Sequence, residues 1–159
     1  MNTRLHDALA RLDDAERKQE RGAYFGSIHE TCNHLLWGDR IWLARFTGAP
    51  FGVANFGRGM YGDFEALRRE RGETDDRMIE WSRAVDEHRL AGTLRYTAAV
   101  DGRERTLPFA VAVVHFFNHG THHRGQLTTL MTQAGLDPGV TDLPWLPPVE
   151  SEATQSTRV

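Results

Sequence analysis

The chain has almost no cysteine, since Cys32 is the single thiol among its 159 residues. One cysteine excludes an internal disulfide and the zinc ribbons that bind their ion through several cysteines. No apolar run approaches the roughly 18 residues of a membrane-spanning helix. The N-terminal sequence MNTRLHDALARLDD is too polar for a signal peptide. We therefore expect a cytoplasmic protein with no membrane partner.

Neither sign of charge dominates the sequence. Lys and Arg number 19 against 22 Asp and Glu, which leaves a net charge of −3, and the two signs are dispersed. The arginine-rich run at 68–71 is interleaved with glutamates, so it is typical of a solvated helix face. Because the basic patch of a nucleic-acid-binding protein is missing, we expect no nucleic-acid partner.

Length and composition are typical of one globular domain. The chain is 40% hydrophobic and 26% charged, and it is long enough to bury a substantial core. We expect residues 1–146 to form this single domain. Residues 147–159 end in the polar sequence SEATQSTRV, which predicts a disordered tail.

Apolar residues recur at helical spacing in four segments, which predicts an all-α fold. The segments are residues 3–20, 27–46, 63–88 and 106–134. Ser27 opens the second segment with an S-x-x-E capping box, and Asp63 is placed to cap the third. We expect a bend of the first helix near Asp13, a break of the third at Gly72 and a cap of the fourth at Thr106. Four such helices predict a four-helix bundle.

Two connections between these helices have a character of their own. Alternating residues flank Asp101-Gly102, which predicts a small β-hairpin before the last long helix. Residues 50–62 are rich in glycine and aromatic residues and have no periodicity. We expect these residues to form a loop that is long enough to cover a pocket.

The predicted fourth helix contains four of the eight histidines, at positions 115, 119, 122 and 123. Residues four apart lie on one helical face about 6 Å from each other, so the pair 115/119 or the pair 119/123 could share a cation. The helical wheel favours 119/123, because His123 lies within the apolar stripe and His119 close to its edge. The alternative is that these rings are core or surface histidines satisfied by hydrogen bonds.

A third imidazole is available on the second predicted helix. Helix bundles place metal sites between facing helices. His34 is well placed for this, since Gly38 lies beside it and leaves space, whereas His29 is too near the N-terminus. A three-histidine site with open positions would be of the catalytic type.

Two segments of the chain carry a resemblance to a known family. The first is NHLLWGDRIWL at 33–43, and the second is NHGTHHRGQ at 118–126, followed by AGLDP at 134–138. Together they resemble the DinB family of metalloenzymes, and the likeness extends over about residues 3–146. The combination of NH…DR…W with H-x-x-x-H-R-G-Q is specific, although neither half is specific alone.

The resemblance implies a fold, an ion and a chemistry. The family fold is a four-helix bundle, and many members are dimers, so we expect a homodimer. The family pattern implies a divalent ion held by one histidine of helix two and an H-x-x-x-H pair of helix four, which are His34, His119 and His123 here. Members are similar to thiol-dependent transferases that use mycothiol or bacillithiol, and to mycothiol-dependent maleylpyruvate isomerase.

We therefore expect a divalent-metal-dependent enzyme that activates a thiol or a water molecule near neutral pH. Two reactions stay open, namely transfer of a low-molecular-weight thiol to a small electrophile and hydrolysis. Three imidazoles favour zinc or nickel, while iron and manganese stay open. Glu30, one turn before His34, could accept a hydrogen bond from that imidazole or act as a general base.

Two other classes of function compete with this one. The chain could be a non-enzymatic stress-response protein that binds a metal or another ligand. A closed structural site would need a fourth ligand, for which His115 is the nearest candidate, whereas around a catalytic ion His115 and His122 would be neighbours of the ligands. The third possibility is an interaction module in which exposed aromatic residues form a dimer interface; these are Phe51, Phe56 and Tyr61.

Overall fold

The computed structural model describes residues 1–52 and 54–145, which form a mostly helical protein with one small antiparallel sheet. The α-helices of this part are α1 (Asn2–Leu9), α2 (Asp14–Lys18), α3 (Ile28–Thr47), α4 (Phe64–Ala84), α5 (Glu87–Leu90) and α6 (Phe109–Gln133). The strands are β1 (Thr93–Thr97) and β2 (Glu104–Pro108). The predicted all-α bundle with a hairpin before the last long helix is confirmed. The predicted tail at 147–159 lies outside the described residues.

Helix α3 is the central element, and it packs antiparallel to α6. The ring of His34 meets His123, with centroids 4.4 Å apart, while Trp42 meets His115 at 4.8 Å. Positions therefore increase along α3 as they decrease along α6. Ser27 accepts a hydrogen bond from the Glu30 amide at the start of α3, which is the N-cap half of the predicted capping box. The reciprocal half is not formed, because the Glu30 carboxylate accepts from the Gly59 amide instead. Gly48 ends the helix with φ +76°.

Helix α4 runs parallel to α3. Asp39 forms an ion pair with Arg71, and Phe46 stacks on Trp81 at 4.8 Å further along both helices. Two parallel neighbours need a connection that returns the chain to its starting end, and the described residues 48–52 and 54–63 belong to this crossover. Asp63 caps α4 by accepting from the Ala66 amide at 2.7 Å, as predicted.

The N-terminal segment departs further than expected from the prediction of one helix over residues 3–20 that bends near Asp13. Helix α1 ends at Leu9, and a separate short helix begins after Asp13. The Asp13 carboxylate accepts from the Glu16 amide at 2.7 Å, and the Glu16 carboxylate accepts from the Asp13 amide at 3.0 Å. This reciprocal capping box makes a new helix start more favourable than continuation.

Three further expectations about α4 and α6 were wrong. Helix α4 continues through Gly72, because a single glycine costs only about 1 kcal/mol and packing on both sides holds the helix. Thr106 pairs with Arg95 in the hairpin instead of capping α6, which begins at Phe109. Arg71 is not part of a solvated face, since only 3% of it is exposed.

The hairpin closes as the Asp101-Gly102 dipeptide predicted. Gly102 has φ +67°, a conformation that glycine adopts without steric cost. The register pairs Leu94 with Leu107 and turns Leu94 into the core, where it is 3% exposed. The sheet thus covers one end of the bundle beside Trp42.

Two clusters of buried apolar residues hold the bundle together, and they lie at opposite ends of α3 and α6. One cluster takes residues 28–36 of α3 and 127–131 of α6, and the other takes residues 42–46 and 109–116. Between them, residues 117–126 of α6 carry three histidines and no aliphatic side chain. Within residues 1–52 and 54–145, none of the helices has the length and apolar content needed to cross a membrane.

Candidate metal site

Three imidazoles converge where α3 faces the histidine-bearing middle of α6. They are those of His34 on α3 and of His119 and His123 on α6, and one nitrogen of each lies within 4.8 Å of the others. The ring of His34 is 5.2 Å from His119 and 4.4 Å from His123, between centroids. The structure thus brings together the three histidines that the sequence singled out, one from α3 and an i, i+4 pair from α6.

The outer nitrogens of two of these rings are held by hydrogen bonds. Nδ1 of His34 donates to the carbonyl oxygen of Phe56 at 2.9 Å, because a carbonyl can only accept. Nδ1 of His123 donates to Oε1 of Gln126 at 2.8 Å, and the amide nitrogen of Gln126 in turn donates to His122 at 3.3 Å. Both rings therefore carry their proton on Nδ1 when they are neutral.

These tautomers leave two lone pairs facing each other. The Nε2 atoms of His34 and His123 are 3.1 Å apart, with no proton between them in the neutral rings. Two imidazole ligands of one tetrahedral zinc ion, each bonded at about 2.0–2.1 Å, lie about 3.4 Å apart. The observed separation is close to that value, so a cation between the rings fits the donor set. The site is compatible with metal binding.

Burial keeps the three rings neutral. Desolvation lowers the pKa of His34 to about 4, with the Phe56 hydrogen bond acting in the opposite direction. Desolvation also lowers the pKa of His119 to about 3, helped by the neighbouring imidazole of His123. The pKa of His123 is lowered by the same burial. Neutral imidazole is the form that binds a metal, so the site is ready at neutral pH without losing a proton.

Two glycines leave room for the His119 ring and for the loop that carries Phe56, because they have no Cβ atom. A Cβ on Gly38 would lie 2.5 Å from Cε1 of His119, so only glycine leaves room for this ring against α3. Gly57 has φ +82°, and a Cβ there would lie 2.4 Å from Cβ of Trp37. Because Gly57 can lie this close to α3, the preceding Phe56 carbonyl is within hydrogen-bonding distance of His34.

Asn33 fastens the described part of the 50–62 loop to α3, and Phe56 of this loop lines a cavity beside the histidines. The amide side chain of Asn33 accepts from the Tyr61 amide at 3.0 Å and donates to the Tyr61 carbonyl at 3.1 Å. The imidazole of His29 contacts the same carbonyl oxygen at 2.7 Å. The two hydrogen bonds of Asn33 satisfy both backbone groups of Tyr61, as pairing with a neighbouring strand would, and they hold the loop beside the histidine cluster.

The sequence profile of the DinB family matches residues 1–156. The chain belongs to the DinB family. A crystal structure of a DinB-like protein from Bacillus cereus ATCC 10987 has the same fold, with a TM-score of 0.66 and 19% sequence identity. The likeness covers 89% of this chain and 91% of that one. No curated protein matches the chain.

In this DinB-family chain, the prediction that Glu30 orients His34 was wrong. The Glu30 carboxylate instead accepts from the Gly59 amide at 2.8 Å, and the Phe56 carbonyl takes the role beside the imidazole. Helical spacing placed Glu30 one turn from His34. It could not show that backbone groups of the 50–62 loop, the Phe56 carbonyl and the Gly59 amide, take up the hydrogen bonds of both side chains.

The roles of two further side chains in this DinB-family site were not predicted from the sequence. Phe25 stacks on the His34 ring at 3.9 Å between centroids, and Gln126 orients His123. Phe25 precedes α3 with no periodic pattern to mark it, so its position carried no signal. Gln126, three residues after His123 on the same helix, could have been recognised from i, i+3 spacing.

The remaining histidines of α6 lie around the three-histidine group. His115 rests against Trp42 at 4.8 Å and is 5.9 Å from His119, measured between ring centroids. His122 is exposed and meets Gln126. Within the described part of the chain, the group of residues able to hold one ion has three members, and His115 is outside it.

A cavity of about 290 Å³ opens beside the imidazoles on the side of the hairpin. Its wall contains three histidines, four other aromatic side chains and one arginine; these are His34, His115, His119, Trp37, Trp42, Phe56, Tyr96 and Arg45. A small organic molecule in this cavity would lie against the histidine cluster. The DinB-family bundle thus offers a pocket at its candidate metal site.

Proposed function

We propose that this DinB-family protein is an enzyme that holds a divalent metal ion with His34, His119 and His123. One observation carries the proposal: two Nε2 lone pairs face each other at 3.1 Å while both Nδ1 protons are used elsewhere. Buried polar groups that converge without partners are costly, so their arrangement calls for a cation.

The proposed ion would supply a Lewis acid that makes a thiol or a water molecule nucleophilic near neutral pH. The other residues of the site would bind the substrate and orient the metal ligands. The Phe56 carbonyl and Gln126 hold two rings at fixed tautomers, as the outer partners of metal-binding histidines do. Three protein ligands beside a cavity follow the pattern of catalytic sites, in which positions stay open for substrate.

The metal we propose is zinc or nickel, because three neutral imidazoles suit both ions. Iron and manganese also accept imidazole and form the second choice. Within residues 1–52 and 54–145, the three-histidine group contains no carboxylate, whereas harder ions such as manganese favour oxygen ligands.

Of the two reactions, we favour transfer of a low-molecular-weight thiol to a small electrophile. Glu30, which the sequence offered as a general base for hydrolysis, is engaged by the Gly59 amide. The thiol must come from outside the chain, since burial raises the pKa of Cys32 to about 12 and keeps it protonated. Hydrolysis is the second reaction to test.

The alternative function is a non-enzymatic protein that binds a metal or another ligand in a stress response. The same three histidines and the same cavity would serve a binding protein, so an activity measurement has to distinguish the two functions.

We propose a small-molecule substrate, a cytoplasmic location and a homodimer, with neither nucleic acid nor membrane as partner. Sedimentation equilibrium over a hundredfold concentration range, at about 1–100 µM given common dimer affinities, tests the dimer.

The first experiment measures metal content in protein purified without a histidine tag. We expect about one zinc or nickel ion per chain after metal addition, because the site has one set of three ligands. His34→Ala, His119→Ala and His123→Ala should each lose it, whereas the control His115→Ala should retain it. A wild-type protein without bound metal, or loss in the control alone, would contradict the proposal.

The second experiment separates enzyme from binding protein. Zinc- or nickel-loaded protein is incubated with a panel of low-molecular-weight thiols and electrophiles, and with ester and amide substrates. The enzyme hypothesis expects turnover of one class that His119→Ala abolishes. Stoichiometric metal without turnover in either panel would favour the binding protein.

A further inference from the structure

Arg45 lines the same cavity as His34 and His119, at the end of α3 nearest the hairpin. Its guanidinium carbon lies 4.5 Å from the ring centroid of Trp42 and 4.4 Å from that of Tyr96. One guanidinium nitrogen donates to the Thr97 carbonyl at 3.3 Å. Two aromatic faces and a backbone oxygen therefore hold the planar cation in place.

This cation lacks a carboxylate partner among the residues that the structure describes. Two comparable arginines nearby are paired, since Arg40 binds Glu70 and Arg95 binds Glu104. Arg45 is half-buried, and desolvation lowers its pKa. A guanidinium removed from water without an anion is costly, yet it has five N–H donors and uses one for Thr97.

We propose that the cavity binds a small carboxylate with a flat apolar body, and that Arg45 binds the carboxylate. Guanidinium and carboxylate match geometrically, because two parallel N–H donors meet two oxygens. The apolar body would lie against the aromatic wall formed by Trp37, Trp42 and Phe56.

The position of Arg45 also orients the ligand. The arginine and the imidazoles share one cavity wall, so a molecule anchored on Arg45 turns its other end toward His34 and His119. This part of the inference rests on the proposed function, in which that end is the electrophile. Arg45 is then the residue that selects anionic electrophiles over neutral ones.

The test compares an acid with its neutral isostere on metal-free protein. Binding of trans-cinnamate and of cinnamamide is measured by calorimetry for the wild type and for Arg45→Met, which retains the aliphatic contact with Trp42. A hydrogen bond to a charged group contributes about 1.5–3 kcal/mol, which is about 10–150-fold in affinity. We expect the variant to lose this factor for cinnamate and to bind cinnamamide as the wild type does.

Two further variants serve as controls. Arg45→Lys retains the charge but not the two-pronged geometry, so it should recover part of the affinity for cinnamate. Arg95→Met removes a neighbouring arginine that pairs with Glu104 and does not line this cavity, so it should bind both probes normally. Metal content of each variant is measured alongside and should equal that of the wild type.

The inference is overturned if cinnamate binds no more tightly than cinnamamide, which includes the case in which neither binds. It is also overturned if cinnamate binds only to metal-loaded protein and Arg45→Met has no effect, because the carboxylate would then lie on the ion. The metal proposal fails separately, through metal content. A chain that binds no metal and still prefers the acid through Arg45 would retain this inference alone.

Discussion

At the level of single residues, two of the three candidate ligands are oriented by hydrogen bonds to groups outside the histidine cluster. His123 alone could adopt either tautomer, but Gln126 accepts its Nδ1 proton and leaves Nε2 to face His34. The Phe56 carbonyl does the same for His34. The donor set is therefore preorganised by groups that never touch the proposed ion.

Gln126→Leu should weaken metal binding while leaving all three ligands in place. Leucine has similar volume but no acceptor, so His123 loses its fixed tautomer and orientation. Loss of such an outer partner costs about 10–100-fold in metal affinity. Competition with a chromogenic chelator measures the change. Gln133→Leu, an exposed position on the same helix, is the matched control, and equal affinities in the two variants would contradict the role of Gln126.

Gly38→Ala should displace a ligand from the other helix. The new methyl group would lie 2.5 Å from Cε1 of His119, well inside van der Waals contact, so the ring must move away from the group. We expect metal affinity to fall at least tenfold, as is usual when ligand orientation is lost. Gly72→Ala, which faces open space in α4, should retain the affinity and stabilise the fold by about 1 kcal/mol. Unchanged affinity in Gly38→Ala would show that His119 is not held against α3.

At the scale of elements, α3 is joined to α4 by a buried ion pair. Asp39 and Arg71 are each 3% exposed, and their charged atoms are 2.6 Å apart. Arg71 also contacts Asp75 at 2.7 Å, one turn further along α4. The pair lies one residue from Gly38, so it fixes the helix that carries His34 relative to its neighbour.

Arg71→Met should be among the most destabilising single changes in the chain. It leaves the Asp39 carboxylate buried without a partner, which costs about 3–5 kcal/mol. The double variant Asp39→Leu/Arg71→Met removes both charges and should recover most of the loss. Urea unfolding measures all three proteins. Arg68→Met removes an exposed ion pair with Asp7 and should change stability by about 1 kcal/mol or less. If Arg71→Met and Arg68→Met lowered the free energy of unfolding by similar amounts, the result would argue against a buried ion pair between Asp39 and Arg71.

At the scale of the whole molecule, the buried histidines couple stability to pH in metal-free protein. Burial lowers the pKa of His6, and it lowers those of His34 and His119 to about 4 and about 3. In the unfolded chain the same groups titrate near about 6.5. Between these values the unfolded state binds more protons than the folded state, so the free energy of unfolding decreases as pH falls.

We therefore expect the melting temperature of chelator-treated protein to fall steadily as the pH is lowered from about 7 to about 4.5. His119→Leu should flatten this dependence, because it removes a buried group that must stay unprotonated in the folded state. Scanning calorimetry in buffers of matched ionic strength follows the change. A melting temperature that is constant or rises over this range would contradict the burial of neutral imidazoles.

Much of this architecture could be predicted from the sequence. The apolar periods of α3, α4 and α6, the caps at Ser27 and Asp63 and the turn at Gly102 are local signals, which depend on neighbours within one or two turns. Predictions failed where two local signals competed. Thr106 is a good helix cap, yet pairing with β1 retained it in the hairpin.

The bundle, the hairpin and the three histidines of the candidate site could be predicted, because helical spacing and family motifs involve residues close together along the chain. Packing between separate segments decided which groups hold those rings, since the Phe56 carbonyl and Phe25 reach His34 from outside its helix. It also decided that Arg45 shares their cavity without a carboxylate partner among the described residues. Contacts between segments far apart in sequence depend on how helices pack, and no local pattern encodes them.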